Sequence, residues 1–465
     1  MSRPWRIGSR LAATAAMLLA LGTGCSRSRP PDVVMVVLDT VRADHLGAYG
    51  YAPPTSPHLD ALARTADRYT GARASAPWTL PSHASLFTGL TPFEHGAEAR
   101  FDAKSGILVD ATPLRGELLT LAEAFADEGY ETRGVVANPV YLGPRSGLSR
   151  GFESWDVLPL GENDWHHVAH RTFERLEARD PARPLFLFVN LMDAHRPYNV
   201  SQPGGRMWLA APDPEDPSAL LDELVGAVMG RGASDPELVK RVVTQYDTGV
   251  ANADRGLGAL LARLREQRRF DDALVVVTSD HGEYLGEHGL VEHSKDVYDT
   301  ALWVPLLLKR PRQREGRAID GVVSLTELPR LVAAALPAPL GARFAARFPA
   351  PADALPMAEL RYTRPKDLLA PYGARFARIR TALYEDGWKF IRSSDASNEL
   401  YDLRADPGET ANRVADEPAR AARMLERIER DTSAREYRGP WPEIAAPSAE
   451  ERQALRALGY VDGAP

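Results

Sequence analysis

The stretch VVMVVLD, residues 33 to 39, is a run of six apolar residues that ends on an acid, Asp39. Four of the six are valines, and such near-continuous β-branched runs are typical of strands that are buried on both faces of a parallel sheet. Three further apolar runs end on a polar residue in the same way: GVVA before Asn138, LFLFVNLM before Asp193 and ALVVVTS before Asp280. The sequence therefore predicts several buried parallel strands.

Helical patterns lie between these runs. Segments 115–130 and 250–269 carry apolar residues at helical spacing. Strands that alternate with helices predict an α/β fold, in which helices cover a mostly parallel central sheet. In such sheets the functional site lies beyond the carboxyl ends of the strands. We therefore expect Asp39, Asp193 and Asp280 to lie at one edge of the sheet.

The later part of the chain predicts a division into domains. A main domain would span residues 33–336, with a surface insertion around 199–245 that contains the Pro- and Asp-rich APDPEDPS. Residues 337–356 are rich in Pro and Ala and predict a linker. Residues 357–465 would then form a smaller C-terminal α+β subdomain, with a β-hairpin that turns on Asp386-Gly387.

Composition excludes several classes of protein. The 465 residues are 44% hydrophobic and 26% charged, which is the profile of an ordinary globular protein. The net charge of -7 argues against nucleic acid as a partner. Cys25 is the single cysteine, so the chain has no internal disulfide and no cysteine-based zinc site.

The N-terminus has the order of a signal peptide. A basic segment is followed by a short apolar run, LAATAAMLLALGTG, and then by Cys25. The apolar run is too short to span a bilayer. The segment resembles a bacterial lipoprotein signal, although Gly22 stands where such signals usually carry leucine. We expect residues 1–24 to be a signal peptide and 25–32 a tether, which predicts an extracytoplasmic protein, in the periplasm or at the cell surface, with a lipid anchor in the membrane. Plain secretion and a retained membrane anchor are the alternatives.

Five motifs together carry a resemblance to a known family. They resemble, in order and spacing, the successive motifs of the sulfatase family, which belongs to the alkaline-phosphatase-like superfamily. A sixth segment, FIRSS…NELYDLRADPGE, resembles the family's C-terminal strand motif, and the similarity runs from about residue 32 to 410. Residues 33–336 would then be a sulfatase-like catalytic domain. The five motifs are LDTVRADHLGAYG, TLPSHASLFTGLTPFEHG, NLMDAHRPY, VVVTSDHGEYLGEHG and EHSKDVYDTALWVPLLL.

The resemblance implies a divalent cation at the strand ends. Asp39, Asp280 and His281 match the family's metal ligands, and oxygen and imidazole donors suit a hard or borderline dication. The ion would be Ca²⁺ or Mg²⁺ in a sulfatase-like site and Mn²⁺ or Zn²⁺ in a phosphodiesterase-like one. The alternative to a metal ligand is that an Asp after a strand serves only as a helix N-cap. A second metal ion, bound by Asp193, His195 and His293 as in two-zinc relatives, also stays open.

Thr79 occupies the position that decides the chemistry. Sulfatases carry a cysteine or serine there, which is oxidised to formylglycine, and that oxidation does not act on threonine. Coordination to a dication lowers the pKa of a hydroxyl without a separate base, so Thr79 is predicted to be both a metal ligand and the nucleophile. Pro81 places Thr79 at the start of a helix, where anions bind favourably. The alternative is that Thr79 is merely the helix N-cap.

Further departures weaken the likeness to a conventional sulfatase. His83 replaces an arginine of the family motif, Leu90 replaces a basic residue, and Thr40 replaces the second of two adjacent aspartates found in many members. His195, His293 and Lys295 match positions that contact the substrate's oxyanion in relatives. Such groups stabilise transition-state charge. His95 also matches a family position, with a supporting or structural role.

These residues predict a metal-dependent, sulfatase-like hydrolase that acts on an anionic ester: a sulfated or phosphorylated small molecule, glycan or lipid. Thr79 would form a covalent intermediate. Because formylglycine is absent, cleavage of phosphate esters or diesters is chemically preferred to sulfate release. One alternative is a transferase that passes a phospho-group to a lipid or glycan. The other is a non-catalytic lipoprotein that binds anions or glycans.

Overall fold

We analysed a computed structural model of the chain, which divides into two compact units, Met1–Pro30 and Pro31–Pro465. No helix in the described part of the chain is long and apolar enough to cross a membrane. Met1 belongs to that part, whereas the rest of the predicted signal peptide and Cys25 lie outside it. The structure describes residues 1, 29–102, 107–109, 111–198, 218–232, 235–349, 351, 353–361, 367–368, 370–442 and 448–458.

An eight-stranded mixed sheet forms the centre of the larger unit. Strand β11 runs antiparallel to both of its neighbours, and all the other neighbouring pairs in this sheet are parallel. The predicted α/β class with a mostly parallel sheet is confirmed. In order across the sheet the strands are β12 (Arg317–Ser324), β2 (Asp67–Arg73), β11 (Leu306–Lys309), β8 (Leu274–Thr278), β1 (Val33–Leu38), β7 (Leu185–Leu191), β5 (Glu131–Val136) and β6 (Ser154–Val157).

The four predicted strands are the adjacent strands β8, β1, β7 and β5 at the middle of this sheet. Every side chain of β1 is buried, and burying a Val or Leu side chain contributes about 1.5–3 kcal/mol. Leu38 pairs with Leu191 of β7, and Val37 pairs with Thr278 of β8. The carboxyl ends of the three strands are therefore level, so Asp39 and Asp280 leave the sheet at the same edge.

Helices pack on the sheet, and short strands lie in its loops. The helices are α1 (Pro57–Ala63), α2 (Thr79–Thr88), α3 (Pro92–His95), α4 (Leu121–Asp127), α5 (Trp165–Glu177), α6 (Ala219–Val225), α7 (Pro236–Glu266), α8 (Asp299–Leu302), α9 (Leu328–Ala335) and α10 (Ala338–Arg347). The short strands are β3 (Arg100–Asp102), β4 (Ile107–Val109), β9 (Tyr284–Leu285) and β10 (Val291–Glu292).

Capping residues set where the two predicted helices begin. Helix α4 starts later than predicted, because Thr120 and Glu123 form a capping box in which each side chain accepts a hydrogen bond from the other's backbone N–H. Helix α7 starts earlier than predicted, at Pro236, with the side chain of Asp235 accepting a hydrogen bond from Glu237 N–H. Propensity alone does not fix such boundaries, whereas a side-chain cap does.

The predicted insertion at 199–245 lies partly outside the described residues, which omit 199–217 and 233–234. Its remaining part is helical and consists of α6, a π-helical turn at Gly226–Gly230 and the start of α7. Leu221 and Leu224 of α6 are buried. This described part therefore packs into the core.

A small antiparallel sheet follows toward the C-terminus, as predicted. The hairpin turns on Asp386 and Gly387, whose φ angles of 52° and 82° both lie in the left-handed region. A two-residue turn with this backbone matches the twist of the flanking strands. The boundary between a main domain and a C-terminal subdomain stays a prediction. The elements are β13 (Met357–Leu360), β14 (Arg380–Glu385), β15 (Trp388–Ser393), β16 (Glu399–Asp402), α11 (Pro418–Arg435) and α12 (Ala449–Ala457).

The prediction of a linker at 337–356 is wrong for half of that segment, because helix α10 spans Ala338–Arg347. Its Phe344 is fully buried, and the ring centroid lies 4.5 Å from that of Phe125 in α4. Phe125 in turn stacks on Phe186 of β7 at 4.4 Å. The Pro- and Ala-rich composition is typical of a linker, but this helix packs in the same hydrophobic core as Phe125.

We predict that Phe344→Ala destabilises the protein by about 3–5 kcal/mol, because it leaves a cavity beside Phe125 and the central sheet. The measurement is the free energy of unfolding in urea. Arg343→Ala is the matched control on the same helix, since it removes a surface ion pair with Glu128 and an exposed hydrogen bond to the Pro339 carbonyl oxygen and should cost less than about 1 kcal/mol. Equal losses for the two variants would contradict the packing assigned to α10.

Candidate active site

Three predicted ligands converge at the carboxyl edge of the sheet. Asp39 follows β1 directly, and Asp280 and His281 follow β8. All three are fully buried, and each offers one ligand atom within 4.8 Å of the others. In the described part of the chain this is the only group of three or more His, Cys, Asp or Glu side chains so arranged.

His281 is oriented by its own backbone. Its Nδ1 lies 2.9 Å from the carbonyl oxygen of Gly282 and must donate to it, so Nε2 carries the free lone pair. That Nε2 lies 3.3 Å from Asp280 Oδ2 and 4.0 Å from Asp39 Oδ1. Burial lowers the pKa of His281 and keeps the ring neutral, which is the form that binds metals.

The two carboxylates each keep one oxygen with no hydrogen bond. Asp280 Oδ1 accepts from the N–H groups of Thr40 at 3.2 Å and His281 at 3.0 Å. Asp39 Oδ2 accepts from Asn190 Nδ2 at 3.3 Å. The other oxygens, Asp39 Oδ1 and Asp280 Oδ2, are buried and have no hydrogen-bond partner. Burying an anion without a counter-charge is costly, so this pair needs a positive charge.

The raised pKa values of Asp39 and Asp280 also indicate that the two carboxylates need a positive charge. Burial, reinforced by repulsion from Asp280, raises the pKa of Asp39 to about 8. Burial raises the pKa of Asp280 to about 7. A dication between the two carboxylates would remove both effects. The donor set of two carboxylate oxygens and one imidazole nitrogen fits Mg²⁺, Ca²⁺, Mn²⁺ or Zn²⁺, and Asp39, Asp280 and His281 would hold it.

Thr79 lies against this group. It is the first residue of helix α2, and its fully buried Oγ1 lies 3.4 Å from His281 Nε2. The N-cap of α2 is Trp78, and no side chain caps the helix. The alternative in which Thr79 serves only as the N-cap is therefore wrong. The predicted position of Pro81, in the first helical turn, is confirmed.

Thr40 positions Asp280 through its backbone. Its φ of 61° is in the left-handed region, which is unfavourable for a β-branched residue. The conformation is held by hydrogen bonds of 2.7 Å from Thr40 Oγ1 to the Asp39 carbonyl oxygen and from the Tyr246 hydroxyl to the Thr40 carbonyl oxygen. It turns the Thr40 N–H toward Asp280. Thr40 thus fixes a ligand through its backbone.

His83, which is predicted to replace an arginine of the family motif, is a buried part of the site. Its Nδ1 donates to the Thr79 carbonyl oxygen at 2.9 Å and lies 3.4 Å from Asp280 Oδ2. Burial lowers the pKa of His83 to about 3, so the ring is neutral. The positive charge that an arginine would bring next to Thr79 is therefore missing here.

Two further histidines extend the site in a row. The ring centroids of His281 and His293 are 4.7 Å apart, and those of His293 and His195 are 4.9 Å apart. His293 Nδ1 lies 3.3 Å from Oε1 of Glu283, a buried carboxylate. The structure thus brings both predicted anion-contacting histidines to the site, and their roles stay predictions.

Lys295 follows His293 closely in the sequence and is buried. Its ammonium group is paired with two carboxylates. Its Nζ lies 3.3 Å from Glu292 Oε2 and also forms an ion pair with Asp367. These anions balance its charge. A direct contact of Lys295 with the substrate stays a prediction.

The suggested second ion finds no support in the described residues. Asp193 Oδ1 accepts from the N–H of Trp165 at 3.0 Å, at the start of helix α5. Asp193, His195 and His293 do not form a metal-binding group within the described ranges. His95 makes structural contacts, because its Nδ1 accepts from Ala97 N–H at 3.0 Å.

Sequence reasoning missed two supporting residues. Asn190 lies inside strand β7, where its amide donates to Asp39 and its Oδ1 accepts from Ala137 N–H at 3.2 Å. Glu283 contacts His293. The available signal for Asn190 was the single polar residue in the otherwise apolar run LFLFVNLM, because a buried polar side chain needs partners.

We predict that a divalent cation stabilises this protein. In cation-stripped protein the pKa values of Asp39 and Asp280, about 8 and about 7, exceed the ordinary value of 3.8. Between about pH 4 and pH 8 the folded state then binds more protons than the unfolded chain, so its free energy of unfolding falls as pH rises. At pH 8, Mg²⁺, Ca²⁺, Mn²⁺ or Zn²⁺ at about 100 times its Kd should restore about 2.7 kcal/mol.

The measurement is thermal unfolding of chelated protein with and without each cation, from pH 5 to 8. Asp280→Asn is the control, since it removes one negative charge and should abolish the cation-dependent rise in Tm. A chelated protein whose stability neither falls with pH nor responds to any cation would contradict the metal centre.

Comparison with known proteins agrees with this geometry. The sulfatase family model matches residues 31–337. An ulvan-active sulfatase of Formosa agariphila is 27% identical over 316 residues, covering 60% of this chain and 56% of the relative. Human N-sulphoglucosamine sulphohydrolase is 29% identical over 340 residues, covering 68% of this chain and 62% of the relative. The match thus spans less than two thirds of these relatives.

Solved structures share the fold. The phosphonate monoester hydrolase of Agrobacterium radiobacter superposes with a TM-score of 0.65 at 21% identity, covering 87% of this chain and 95% of that structure. Because the family model matches more than half of the chain, this protein belongs to the sulfatase family.

Proposed function

We propose that this protein is a divalent-metal-dependent hydrolase that cleaves sulfate or phosphate esters with Thr79 as its nucleophile. One observation carries the proposal. The hydroxyl of Thr79 lies 3.4 Å from His281 Nε2, and that nitrogen lies 3.3 Å from Asp280 Oδ2 and 4.0 Å from Asp39 Oδ1, the two unpartnered carboxylate oxygens. A nucleophile, ligands for an ion and the head of helix α2 therefore occupy one place, as in-line attack on an anionic ester requires.

The ligands prepare Thr79 for attack. A dication held by Asp39, Asp280 and His281 would supply Lewis acidity, which lowers the pKa of a hydroxyl and offsets the charge of the ester. Residues around the ligands keep the arrangement rigid: Asn190 orients Asp39, and Ser82 Oγ donates to the Asp280 carbonyl oxygen at 2.6 Å. The start of α2 adds a favourable electrostatic field for an anion.

The reaction proceeds in two steps. Thr79 Oγ1 gives up its proton to solvent and forms a bond to the central sulfur or phosphorus, while the bond to the leaving oxygen breaks and that oxygen takes up a proton to become the alcohol. Water then cleaves the Thr79 ester, which releases sulfate or phosphate from a monoester, or a phosphate monoester from a diester, and restores the hydroxyl. The Nδ1 of His195 donates to the Arg196 carbonyl oxygen and the Nδ1 of His293 faces Glu283. As imidazolium rings, both would donate from Nε2 to the equatorial oxygens, whose charge rises in the transition state. Glu283 orients His293 for this task.

Phosphorus esters are the chemically preferred substrates. Thr79 is not converted to formylglycine, and His83 adds no positive charge beside it, since burial lowers its pKa to about 3. The named sequence relatives act on sulfated compounds, whereas the superposed structure is a phosphonate hydrolase. The shared fold therefore supports both ester classes, and the chemistry at position 79 favours phosphate esters and diesters.

We predict that Thr79→Ala lowers kcat on the order of 10³-fold or more, because it removes the nucleophile. The measurement is turnover of aryl sulfate, aryl phosphate, bis-aryl phosphate and aryl phosphonate with each of the four cations. Thr79→Ser is the matched control, since it keeps the hydroxyl and should retain measurable activity. Mass spectrometry of quenched protein should find the phosphoryl or sulfuryl group on the peptide that contains Thr79.

Three outcomes would redirect the proposal. Full activity in Thr79→Ala would exclude Thr79 as the nucleophile. Product that forms only with an added alcohol acceptor would indicate a transferase. No turnover of any ester with any cation would favour a binding protein.

We also propose that the protein is anchored outside the cytoplasm by a lipid on Cys25, on the grounds of the N-terminal sequence alone. Cells that express it should incorporate a fatty-acid analogue into the protein, and Cys25→Ala should abolish the label and release the protein from the membrane fraction. Label that persists in Cys25→Ala would rule out the lipoprotein.

A further inference from the structure

A buried ion pair links the two histidines that extend the site. Arg196 comes directly after His195, and Glu292 comes directly before His293. The guanidinium group of Arg196 pairs with the Glu292 carboxylate. Arg196 is 7% exposed and Glu292 is 1% exposed. The pair therefore connects, away from bulk solvent, the loop after β7 with the end of β10, where the two histidines lie.

The backbone on both sides of His293 is strained. Glu292 and Ser294 have φ angles of 65° and 61°, in the left-handed region that is unfavourable for a residue with a Cβ. Such conformations persist only where surrounding contacts hold them. On one side the Ser294 N–H donates to the Pro77 carbonyl oxygen at 2.9 Å. On the other side the contacts of Glu292 hold the chain, so the position of the His293 ring depends on them.

Glu292 belongs to a larger set of charges. Its Oε2 accepts from Lys295 Nζ at 3.3 Å. Arg196 in turn donates through Nη2 to Asp222 Oδ1 at 2.8 Å. A guanidinium group can bind two carboxylates at once, because it offers several N–H donors in a fixed planar fork. Asp222 lies on α6, so the contacts run without a break from this helix to the residue beside His293.

This arrangement fixes geometry more than it adds stability. The removal of two charges from water offsets most of their mutual attraction, so a buried pair contributes little to the free energy of unfolding. The fork of Arg196, by contrast, holds its partners in one orientation. The ring centroids of His195 and His293 lie 4.9 Å apart. A displacement of about 1 Å in a group that contacts the reacting atoms can cost on the order of 10²-fold in rate, so the separation of these rings matters to the reaction.

We propose that Arg196 is a positioning residue of the active site. Its ion pair with Glu292 sets the separation of the His195 and His293 rings, and its hydrogen bond to Asp222 makes helix α6 part of that alignment. Arg196 acts through these rings and not by contact with the ester. This inference rests on the proposed function, because it concerns the histidines that would donate to the equatorial oxygens.

Arg196→Gln and Glu292→Gln each remove the ion pair. Each should lower kcat about tenfold to a hundredfold and leave KM nearly unchanged, because the histidines act on charge that develops in the transition state. The double variant should lose no more than the larger single loss, since the two residues act as one unit. Arg196→Lys keeps the charge without the fork and should recover part of the loss. Native kcat in Arg196→Gln, or losses that add in the double variant, would overturn the inference.

Two controls separate positioning from a general loss of structure. Arg145→Gln also removes a guanidinium group, together with the 2.6 Å ion pair with Glu451 that attaches helix α12, and its kinetics should equal those of the native enzyme. The cation-dependent rise in Tm should persist in Arg196→Gln, because the metal centre is built from other residues. Loss of that rise would overturn the positioning role in favour of a structural one.

Helix α6 is tested at an exposed position. The Asp222 side chain is 62% exposed, so Asp222→Ala should leave Tm unchanged. It should lower kcat about twofold to fivefold, since a partly exposed ion pair has a small energy. Glu223→Ala is the matched control, because it removes an exposed carboxylate from the next position of the same helix. Equal kcat for these two variants would overturn the part assigned to α6.

Crystal structures of the native protein and of Arg196→Gln test the inference independently of catalysis. The distance between the ring centroids of His195 and His293 should increase in the variant. An unchanged distance overturns the inference, whatever the turnover assay shows. A larger distance in the variant, found together with no turnover of any ester by the native enzyme, would instead overturn the proposed hydrolase and leave the role of Arg196 standing.

Discussion

Two buried carboxylates face one another at the ends of adjacent strands, and the rest of the site is organised around them. The register of β1 and β8 places Asp39 and Asp280 there, in the most buried layer of the molecule. Without a cation this pair holds protons at pH values where carboxyl groups are ordinarily ionised, since burial raises both pKa values. The fold thus carries a local instability that a bound dication would relieve, and in the proposed function the same cation would lower the pKa of the Thr79 hydroxyl.

Neutral groups, rather than charged ones, hold the arrangement in place. Thr40 donates its backbone N–H to Asp280, Asn190 donates its amide to Asp39, and Ser82 donates its hydroxyl to the Asp280 carbonyl oxygen. None of these contacts changes the net charge of the site, so the carboxylates keep their full attraction for a cation. The neutral ring of His83 follows the same pattern beside Thr79.

Sequence patterns predicted the central strands and placed Asp39 and Asp280 at one edge of the sheet, because buried β-branched runs and polar residues at strand ends are local signals. The resemblance to the sulfatase motifs predicted that His281 and Thr79 join them. Non-local packing decided the rest. Helix α10 has the composition of a linker, but it is helical because Phe344 packs against Phe125. The paired state of Lys295 depends on Asp367, which lies far away in the chain. No local pattern reports such partners, so the sequence predicted residue positions better than their charge balance.

The attachment of helix α12 has an evolutionary consequence. Its contacts to the main body that set its position, the ion pair with Arg145 among them, are separate from the bonds that fix Asp39 and Asp280. Residues of this helix can therefore change, or the segment can be exchanged with that of a paralogue, while the bonds that hold Asp39 and Asp280 stay intact. A fold built this way tolerates variation in this segment without displacing its candidate ligands.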